Sequence, residues 1–334
     1  MGLTRSLLLG ARIGRELWLR RRPFLLYLKP TPRCDCRCLT CNRWQESQGA
    51  RKDELSQEQI RRILVTFRRA GCAVLTLWGG EPTLRRDLPE ILHAAQSIGL
   101  RTSICTNGNS LPRRAPQILP KLDVLLCSLD GHGALHDEMR GVRGLFDRVV
   151  QGIELAARVN PRCDIRIWAS VHRRNLHQLE QLASLARELG VGIEFFPLSP
   201  IVGHNDPLLL TAEERIAAFG EVQRLKRNSW PVRNPERALG IMAGSTPFQC
   251  NFGQISIHVD HTGRVYSCED AQGQPLHVWG RVPDLDPDAV YRSETFRQVG
   301  QRLRHCNHCS LPCAVELSGN LSQALASIFV RSLD

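Results

Sequence analysis

Six strand-like apolar runs alternate with helix-like segments between residues 24 and 197 of this 334-residue chain. Strands that alternate with helices predict a parallel sheet with crossover helices, closed or nearly closed as a barrel. We therefore expect an α/β fold whose active site lies at the carboxyl ends of the strands. The predicted strands are 24–29, 73–78, 101–105, 124–129, 164–171 and 192–197, and the predicted helices include 56–70, 87–98, 145–159 and 176–189.

Four cysteines lie close together just after the first predicted strand. Thiolates at such short spacing are ligands of iron–sulfur clusters. Cys34, Cys38 and Cys41 have the spacing C-x3-C-x2-C, and three thiolates on a cubic 4Fe–4S cluster leave one iron open for a substrate or cofactor. Cys36, inside the longer gap, is predicted to be a passive loop residue. The alternatives are a zinc site, which no nearby histidine supports, and a disulfide, which the thirteen cysteines without a secretory signal disfavour.

Polar motifs follow the next three predicted strands. Gly-Gly-Glu-Pro occupies residues 79–82, Thr-Asn-Gly occupies 106–108, and Ser-Leu-Asp-Gly occupies 128–131. Each of these alone is an ordinary turn sequence. In this order, at successive strand ends and after the cysteine run, they resemble the signature of the radical S-adenosylmethionine (SAM) enzymes. The resemblance implies a partial (β/α)6 TIM-like barrel.

The resemblance also implies a chemistry and a role for each motif. In that family the open iron of a 4Fe–4S cluster chelates SAM, and one electron splits SAM into methionine and a 5′-deoxyadenosyl radical. The radical then takes hydrogen from an inert C–H bond, with Cys34, Cys38 and Cys41 as the implied catalytic cluster ligands. The residues implied to bind SAM are Gly79, Gly80, Glu81 and Pro82 around the methionine part, Asn107 beneath it, and Ser128 and Asp130 at the ribose.

One position departs from the family pattern. Many members have an aromatic residue before the last cysteine of the trio, where it lies against the adenine, but this chain has Thr40. Contact with the adenine is then expected from Trp44 or from the pair Phe195 and Phe196 at the end of the sixth predicted strand.

A second group of cysteines lies near the carboxyl end of the chain. Cys250 and Cys268 frame two predicted strands, 255–259 and 264–267, and a hairpin there would bring the two thiolates together. This tail resembles the auxiliary-cluster domain known as SPASM or, in its shorter form, twitch. The resemblance implies one auxiliary 4Fe–4S cluster, and a structural zinc site using His305 or His308 is the alternative. The implied ligands are Cys250, Cys268, Cys306 and Cys309, with Cys313 as a replacement for one of them.

The first 22 residues read as a basic amphipathic helix in a chain of net charge +11. This segment is too short to span a bilayer and has no cleavage site, so we expect a cytoplasmic protein. The helix either packs over the barrel or lies at a membrane interface. A basic surface also allows a different function, a non-catalytic iron–sulfur or zinc scaffold that binds nucleic acid. The absence of an aromatic-rich basic stretch and the presence of the Gly-Gly-Glu-Pro motif disfavour that alternative.

These features predict three regions: a helix at 1–22, a radical SAM barrel at 23–230 and an auxiliary-cluster domain at 231–334. The predicted activity is that of an oxidoreductase or maturase acting on a peptide or protein, or on a small molecule in cofactor, natural-product or lipid biosynthesis. Flavodoxin or ferredoxin is the expected electron donor, and a peptide-binding domain would have to come from a partner. Polar candidates near the substrate are Ser199, His204, Asn205 and Asp206 in the loop after the sixth strand, with Arg140, Glu269 and Asp270 elsewhere.

Overall fold

Strands and helices alternate as predicted in the computed structural model, which describes residues 3–47, 53–270, 272–306 and 312–319. The strands are β1 (Leu25–Leu28), β2 (Val74–Leu77), β3 (Arg101–Thr106), β4 (Val124–Ser128), β5 (Asp164–Val171), β6 (Gly192–Pro197), β7 (Ser256–Val259), β8 (Arg264–Tyr266) and β9 (Val278–Arg281). The helices are α1 (Leu3–Gly14), α2 (Gln57–Arg69), α3 (Leu88–Ser97), α4 (Leu111–Ile118), α5 (Ala134–Arg140), α6 (Leu145–Val159), α7 (Leu179–Glu188), α8 (Ala212–Arg227), α9 (Glu236–Ala243), α10 (Phe252–Ile255), α11 (Pro287–Arg292), α12 (Glu294–Leu303) and α13 (Pro312–Gly319).

One mixed sheet organises the molecule. Strands β1 to β6 are parallel, and each pairs with the next strand in sequence. The sheet does not close on itself, which confirms the predicted α/β fold with a partial barrel. On the other side of β1 the sheet continues, because β7 pairs with β1 in parallel and β8 and β9 follow in antiparallel order. The division into a barrel at 23–230 and a domain at 231–334 stays a prediction.

Burial explains why these segments take their structures. All residues of β1 and β2 are buried, as expected for central parallel strands that are covered on both faces. Two helices begin with capping boxes, Ser56 with Gln59 before α2 and Thr211 with Glu214 before α8. Each fully buried large apolar side chain contributes roughly 1.5–3 kcal/mol to folding. The buried face of α2 consists of Ile60, Ile63, Leu64 and Phe67.

The N-terminal helix α1 packs on the protein rather than standing apart. Leu9 and Ile13, one turn apart, are buried in an apolar cluster that also contains Phe24 and the first residue of β1. Of the two alternatives for this segment, packing over the barrel is therefore realised for one face of the helix. A π-helical turn at Arg15–Arg20 follows α1 and leads the chain to β1.

Candidate active site

The cysteine loop, residues 30–42, lies beside the Gly-Gly-Glu-Pro loop that follows β2. The backbone N–H of Gly80 donates to the carbonyl of Thr31 at 3.1 Å, and that of Glu81 donates to the carbonyl of Arg33 at 2.7 Å. A Cβ atom on Gly80 would lie 2.1 Å from the Arg33 carbonyl oxygen. Only glycine allows this approach, so the second glycine of the motif joins the two loops.

The opposite side of the cysteine loop is attached to the end of α5. The backbone N–H of Arg37 donates to the carbonyl of Arg140 at 3.1 Å, and the N–H of Leu39 donates to the carbonyl of Met139 at 2.9 Å. A loop rich in cysteines is thus fixed by backbone hydrogen bonds on both sides. These hydrogen bonds fix the backbone that carries the thiols.

Glu81 is almost completely buried, with 1% of its surface exposed. Its Oε1 accepts hydrogen bonds from Thr83 N at 2.9 Å, Thr83 Oγ1 at 2.6 Å and Thr106 Oγ1 at 2.8 Å, and its Oε2 accepts one from Asn107 N at 2.7 Å. Burial raises the pKa of Glu81, although these hydrogen bonds oppose the shift. The carboxylate therefore ties the end of β2 to the end of β3, and its predicted contact with the SAM ammonium stays a prediction.

Asn107, at the end of β3, faces the first cysteine of the trio. Its Nδ2 lies 3.9 Å from Cys34 Sγ and donates to Asp35 Oδ1 at 2.7 Å. Asn109 Nδ2 donates to the other oxygen of Asp35 at 2.7 Å. No local pattern marks Asp35 in the sequence, since it is one polar residue within a loop. The structure makes it the residue that fixes the Thr-Asn-Gly motif to the cysteine loop.

A buried ion pair stands behind the second cysteine of the trio. Arg140 Nη2 lies 2.7 Å from Asp130 Oδ2, and Arg140 Nη1 lies 3.8 Å from Cys38 Sγ. Burial alone would lower the pKa of Arg140, but the Asp130 carboxylate and the nearby thiol raise it. Asp130 also accepts the backbone N–H of Ser170 at 3.0 Å. Asp130 thus supports the cation beside Cys38, and its predicted role at the ribose, like that of Ser128, stays a prediction.

The thiols of the cysteine loop are free, and two of them contact Cys36. Hydrogen bonding to Cys34 and Cys38, followed by burial, raises the pKa of the fully buried Cys36. The hydrogen bond from Cys36 lowers the pKa of Cys38 to about 7, against the effect of burial and with help from Arg140. Burial raises the pKa of Cys41, whose sulfur accepts the backbone N–H of Arg43 at 3.5 Å. Cys36 therefore packs among the thiols rather than standing apart from them.

The donor set of this loop suits an iron–sulfur cluster better than a single ion. Among the described residues, no three His, Cys, Asp or Glu side chains converge closely enough to hold one metal ion. A cluster does not need such convergence, because each thiolate binds a different iron. Cluster sulfurs are stabilised by N–H donors, which Asn107 and Arg140 offer beside Cys34 and Cys38. The residues present fit a 4Fe–4S cluster.

Three cysteines of the tail share one apolar cluster. Cys250 is 7% exposed, and Cys268 and Cys306 pack against the same group of residues, together with Trp78. The predicted hairpin between Cys250 and Cys268 is present and consists of β7 and β8. Cys309 and the side chain of Cys313 lie outside the described residues. Three of the five predicted auxiliary ligands thus lie against one apolar cluster, and their role as ligands stays a prediction.

Buried charges connect the two cysteine groups. Glu269, next to Cys268, pairs with Lys29 Nζ at 2.5 Å and with Arg43, and Tyr266 Oη donates to it at 3.2 Å. Arg43 is the residue whose backbone N–H reaches Cys41. Glu269, a polar candidate from the sequence, therefore contacts both ends of the site. A cavity of about 210 Å³ adjoins these residues and is also lined by Gly79 and Gly80.

A second cavity, of about 120 Å³, lies on the inner face of the sheet. Trp168 on β5 stands opposite Ser128 on β4 and Glu194 on β6. Trp168 Nε1 and Arg166 Nη1 each lie 2.5 Å from a carboxylate oxygen of Glu194. Glu316 of α13 also lines this cavity. No local sequence pattern marks these residues, because they become neighbours only through strand register.

Two further predictions concern Asn205 and the pair Phe195 and Phe196. Asn205 is fully buried and donates to the Thr40 carbonyl at 3.3 Å, so it anchors the loop after β6 instead of facing a substrate. Phe195 is fully buried in the core, whereas Phe196 is partly buried against Trp168 at 5.6 Å between ring centroids. Phe196 is thus the member of the pair that remains available to an adenine.

Comparison with known proteins identifies the family. Residues 28–186 match the profile of the Radical SAM superfamily. AdoMet-dependent heme synthase of Oleidesulfovibrio alaskensis is 30% identical over 323 residues, which cover 85% of this chain and 79% of that protein. The AdoMet-dependent heme synthase of Methanosarcina barkeri is 32% identical over 191 residues, and the match spans 55% of this chain and about half, 53%, of that protein. Mycofactocin maturase MftC of Mycolicibacterium smegmatis is 29% identical over 304 residues, or 83% of this chain and 72% of MftC.

Solved structures show the same fold. SuiB of Streptococcus suis bound to S-adenosylmethionine aligns with a TM-score of 0.69 at 19% identity, over 91% of this chain and 76% of SuiB. The enzyme anSMEcpe with bound AdoMet and a Cp18Cys peptide aligns with a TM-score of 0.66 at 16% identity, over 93% of this chain and 97% of anSMEcpe. Within the described residues, none of the helices has the length and apolar content that crossing a membrane requires. The sequence matches, the shared fold and the motifs at the strand ends show that this chain belongs to the radical SAM superfamily of enzymes, which bind a 4Fe–4S cluster and SAM.

Proposed function

We propose that this enzyme holds a 4Fe–4S cluster with Cys34, Cys38 and Cys41 and cleaves SAM reductively to abstract hydrogen from an organic substrate. When bound, the cluster supplies the electron that splits SAM into methionine and a 5′-deoxyadenosyl radical. One observation carries the proposal: the cysteine loop is joined to the Gly-Gly-Glu-Pro loop by the two hydrogen bonds from Gly80 and Glu81. Family membership favours this activity over a non-catalytic scaffold that binds nucleic acid.

The residues around the cysteine loop would orient SAM and exclude water. Gly79 and Gly80 expose backbone to the larger cavity and would contact the methionine part of SAM, with Pro82 beginning the short turn behind them. Glu81 keeps this turn attached to β3. The remaining contacts that we propose are Asn107 below the methionine part and, at the end of β4, Ser128 and Asp130 at the ribose.

We further propose that the tail holds one auxiliary 4Fe–4S cluster. Cys250, Cys268 and Cys306 share an apolar cluster that limits access of water, and Cys309 or Cys313 would complete the ligand set. Four thiolates would leave no iron open for a substrate. This cluster would therefore accept an electron from a substrate radical or stabilise the tail, rather than bind the substrate directly.

The proposed substrate is a peptide or protein side chain, and the proposed electron donor is a flavodoxin or ferredoxin. SuiB, which has the same fold, has been solved with its precursor peptide SuiA, and MftC is named a maturase. A small molecule of cofactor biosynthesis is the second candidate, because two of the matched relatives are heme synthases.

Anaerobic reconstitution with iron and sulfide, followed by dithionite and SAM, tests the proposal. The wild type should release 5′-deoxyadenosine, and a variant with Cys34, Cys38 and Cys41 replaced by alanine should release none. Cys163→Ala, which alters a buried core cysteine outside both cysteine groups, should retain the activity. An iron-replete wild type that forms no 5′-deoxyadenosine would contradict the proposal.

A further inference from the structure

The outer face of the N-terminal segment carries three large apolar side chains that the described part of the protein leaves exposed. Leu8 is 65% exposed, Trp18 is 62% exposed and Leu19 is 81% exposed. In the described chain, the other large exposed apolar side chains lie singly in separate parts of the fold. They are Leu39, Val202, Ile216 and Val278. Exposed apolar residues that occur together mark an interaction surface, whereas single ones are ordinary.

The indole of Trp18 is held on the outside of the helical segment by its local packing. A Cβ atom placed on Gly14 would lie 2.8 Å from the Trp18 ring, so glycine provides the space in which the ring lies along the helix. The opposite face is already occupied, because Leu9 and Ile13 are buried against the barrel. The exposed face is therefore not the side by which the segment folds onto the protein.

Around these side chains, a buried carboxylate lies beneath exposed guanidinium groups. The only acidic residue between positions 8 and 22 is Glu16, which is completely buried. Arg15 Nη2 and Arg20 Nη1 lie 2.9 and 3.6 Å from its carboxylate, and their side chains remain 49% and 46% exposed. Arg21 is exposed as well. Water thus meets guanidinium groups at this surface, while the compensating carboxylate is hidden beneath them.

We propose that this face, defined by Leu8, Trp18, Leu19 and the arginines at 15, 20 and 21, docks the enzyme on an anionic membrane surface. Tryptophan prefers the interfacial region of a bilayer, leucine enters the acyl boundary, and arginines pair with anionic headgroups. Nucleic acid fits the face less well, because two of its three apolar side chains are aliphatic and cannot stack on bases. The inference is independent of the proposed reaction, since the face lies outside the cysteine loop and the SAM motifs.

Cosedimentation of the full chain with vesicles tests the proposal. Vesicles of phosphatidylcholine and phosphatidylserine should bind the wild type at roughly physiological salt, about tenfold or more tightly than vesicles of phosphatidylcholine alone. Trp18→Ser with Leu19→Ser should reduce this binding by at least about tenfold. Arg21→Glu, which reverses one exposed charge, should also reduce it by about tenfold.

The matched control is Val202→Ser with Ile216→Ser, which removes two exposed apolar side chains elsewhere and should leave vesicle binding unchanged. Thermal unfolding of each variant checks that the fold is retained. Absence of binding by the wild type, or equal binding by the Trp18 and Leu19 variant, would overturn the proposal. It would equally be overturned if the wild type sedimented as a dimer that these substitutions dissociate while vesicles failed to bind, because the face would then be a contact between protein copies.

Discussion

The two cysteine groups of this enzyme are held by different means. The N-terminal loop receives backbone hydrogen bonds from the turn after β2 and from the end of α5, and side-chain donors face two of its sulfurs. In the tail, Cys250 N donates to the Arg304 carbonyl and Cys306 N to the Leu303 carbonyl, and the three described cysteines pack against one apolar cluster. A parallel sheet presents several strand ends at one edge, whereas a hairpin presents one turn. The first site is therefore organised by hydrogen bonds at several strand ends, and the second by packing of the tail against α1, β1 and β2.

The largest effect on activity is expected from Gly80→Ala, which disrupts the contact between the cysteine loop and the SAM motifs. The new Cβ would lie 2.1 Å from a backbone oxygen that cannot rotate away, so the two loops must separate. Displacement of this order costs about 100-fold in the rate of 5′-deoxyadenosine formation. Gly220→Ala is the control, because it lies within α8 with open space around it and should stabilise the helix by about 0.5–1 kcal/mol. Equal activity of the two variants would contradict the proposed join.

Arg140→Met should destabilise the protein by about 3–5 kcal/mol, since it leaves the buried carboxylate of Asp130 without its cation. Urea unfolding measures this loss, and iron analysis should show reduced retention at the N-terminal site alone. Arg174→Met breaks a comparable pair with Glu138 that is largely exposed, and it should cost less than about 1 kcal/mol. A similar loss of unfolding free energy in both variants would show that the buried pair beside Cys38 stabilises the protein no more than an exposed pair does.

Acidic pH should lower the free energy of unfolding through buried histidines in both regions. Burial lowers the pKa of His136 and His172, near Asp130, to about 4, and that of His258, on β7, to about 3. The unfolded chain binds protons near pH 6.5 that the folded chain does not, so stability is complete above that pH and falls below it. At about pH 5 each histidine should account for roughly 2 kcal/mol of lost stability.

Single replacements test one histidine from each region. His136→Gln should remove roughly 2 kcal/mol from the difference in unfolding free energy between about pH 7.5 and pH 5, and His258→Gln should remove a similar amount. If the difference in unfolding free energy between the two pH values is the same in both variants as in the wild type, these histidines are not the groups that titrate.

Glu269→Gln tests the connection between the two sites. It removes the charge that Lys29 and Arg43 share and should cost about 1–3 kcal/mol. Because Arg43 contacts Cys41, iron should be lost faster from both cysteine groups during chelator challenge. Glu54→Gln is the matched variant: its carboxylate binds Arg33, which directly precedes Cys34 in the cysteine loop, so it should affect only the N-terminal site. Iron loss confined to one site in both variants would refute the connection.

Local sequence patterns predict the barrel strands well. Every predicted strand from 24 to 197 is present, with ends that differ by about one residue. The motifs lie at the strand ends as predicted because hydrophobic periodicity and turn residues are both local signals. Helix α4 is not predicted, because Pro112 and Pro116 lie within it. Strand β9 is not predicted either, because its formation depends on pairing with β8.

Contacts within the site are less predictable than its motifs. The pairing of Arg140 with Asp130, and of Asp35 with Asn107, joins residues that are distant in sequence and come together only in the folded chain. The same holds for Trp168, which strand register places between Ser128 and Glu194. Residue type alone therefore identified Arg140 and Glu269 as polar candidates without showing what they contact.

The parallel pairing of β7 with β1 has a practical consequence for dissecting this protein. A chain truncated before Ser256 would leave the backbone of Leu25–Leu28 as an unprotected edge, with four apolar residues along it. Unprotected apolar edges recruit strands from other molecules and lead to aggregation. The barrel is thus expected to be insoluble when expressed without the tail, whether or not the tail cysteines bind iron.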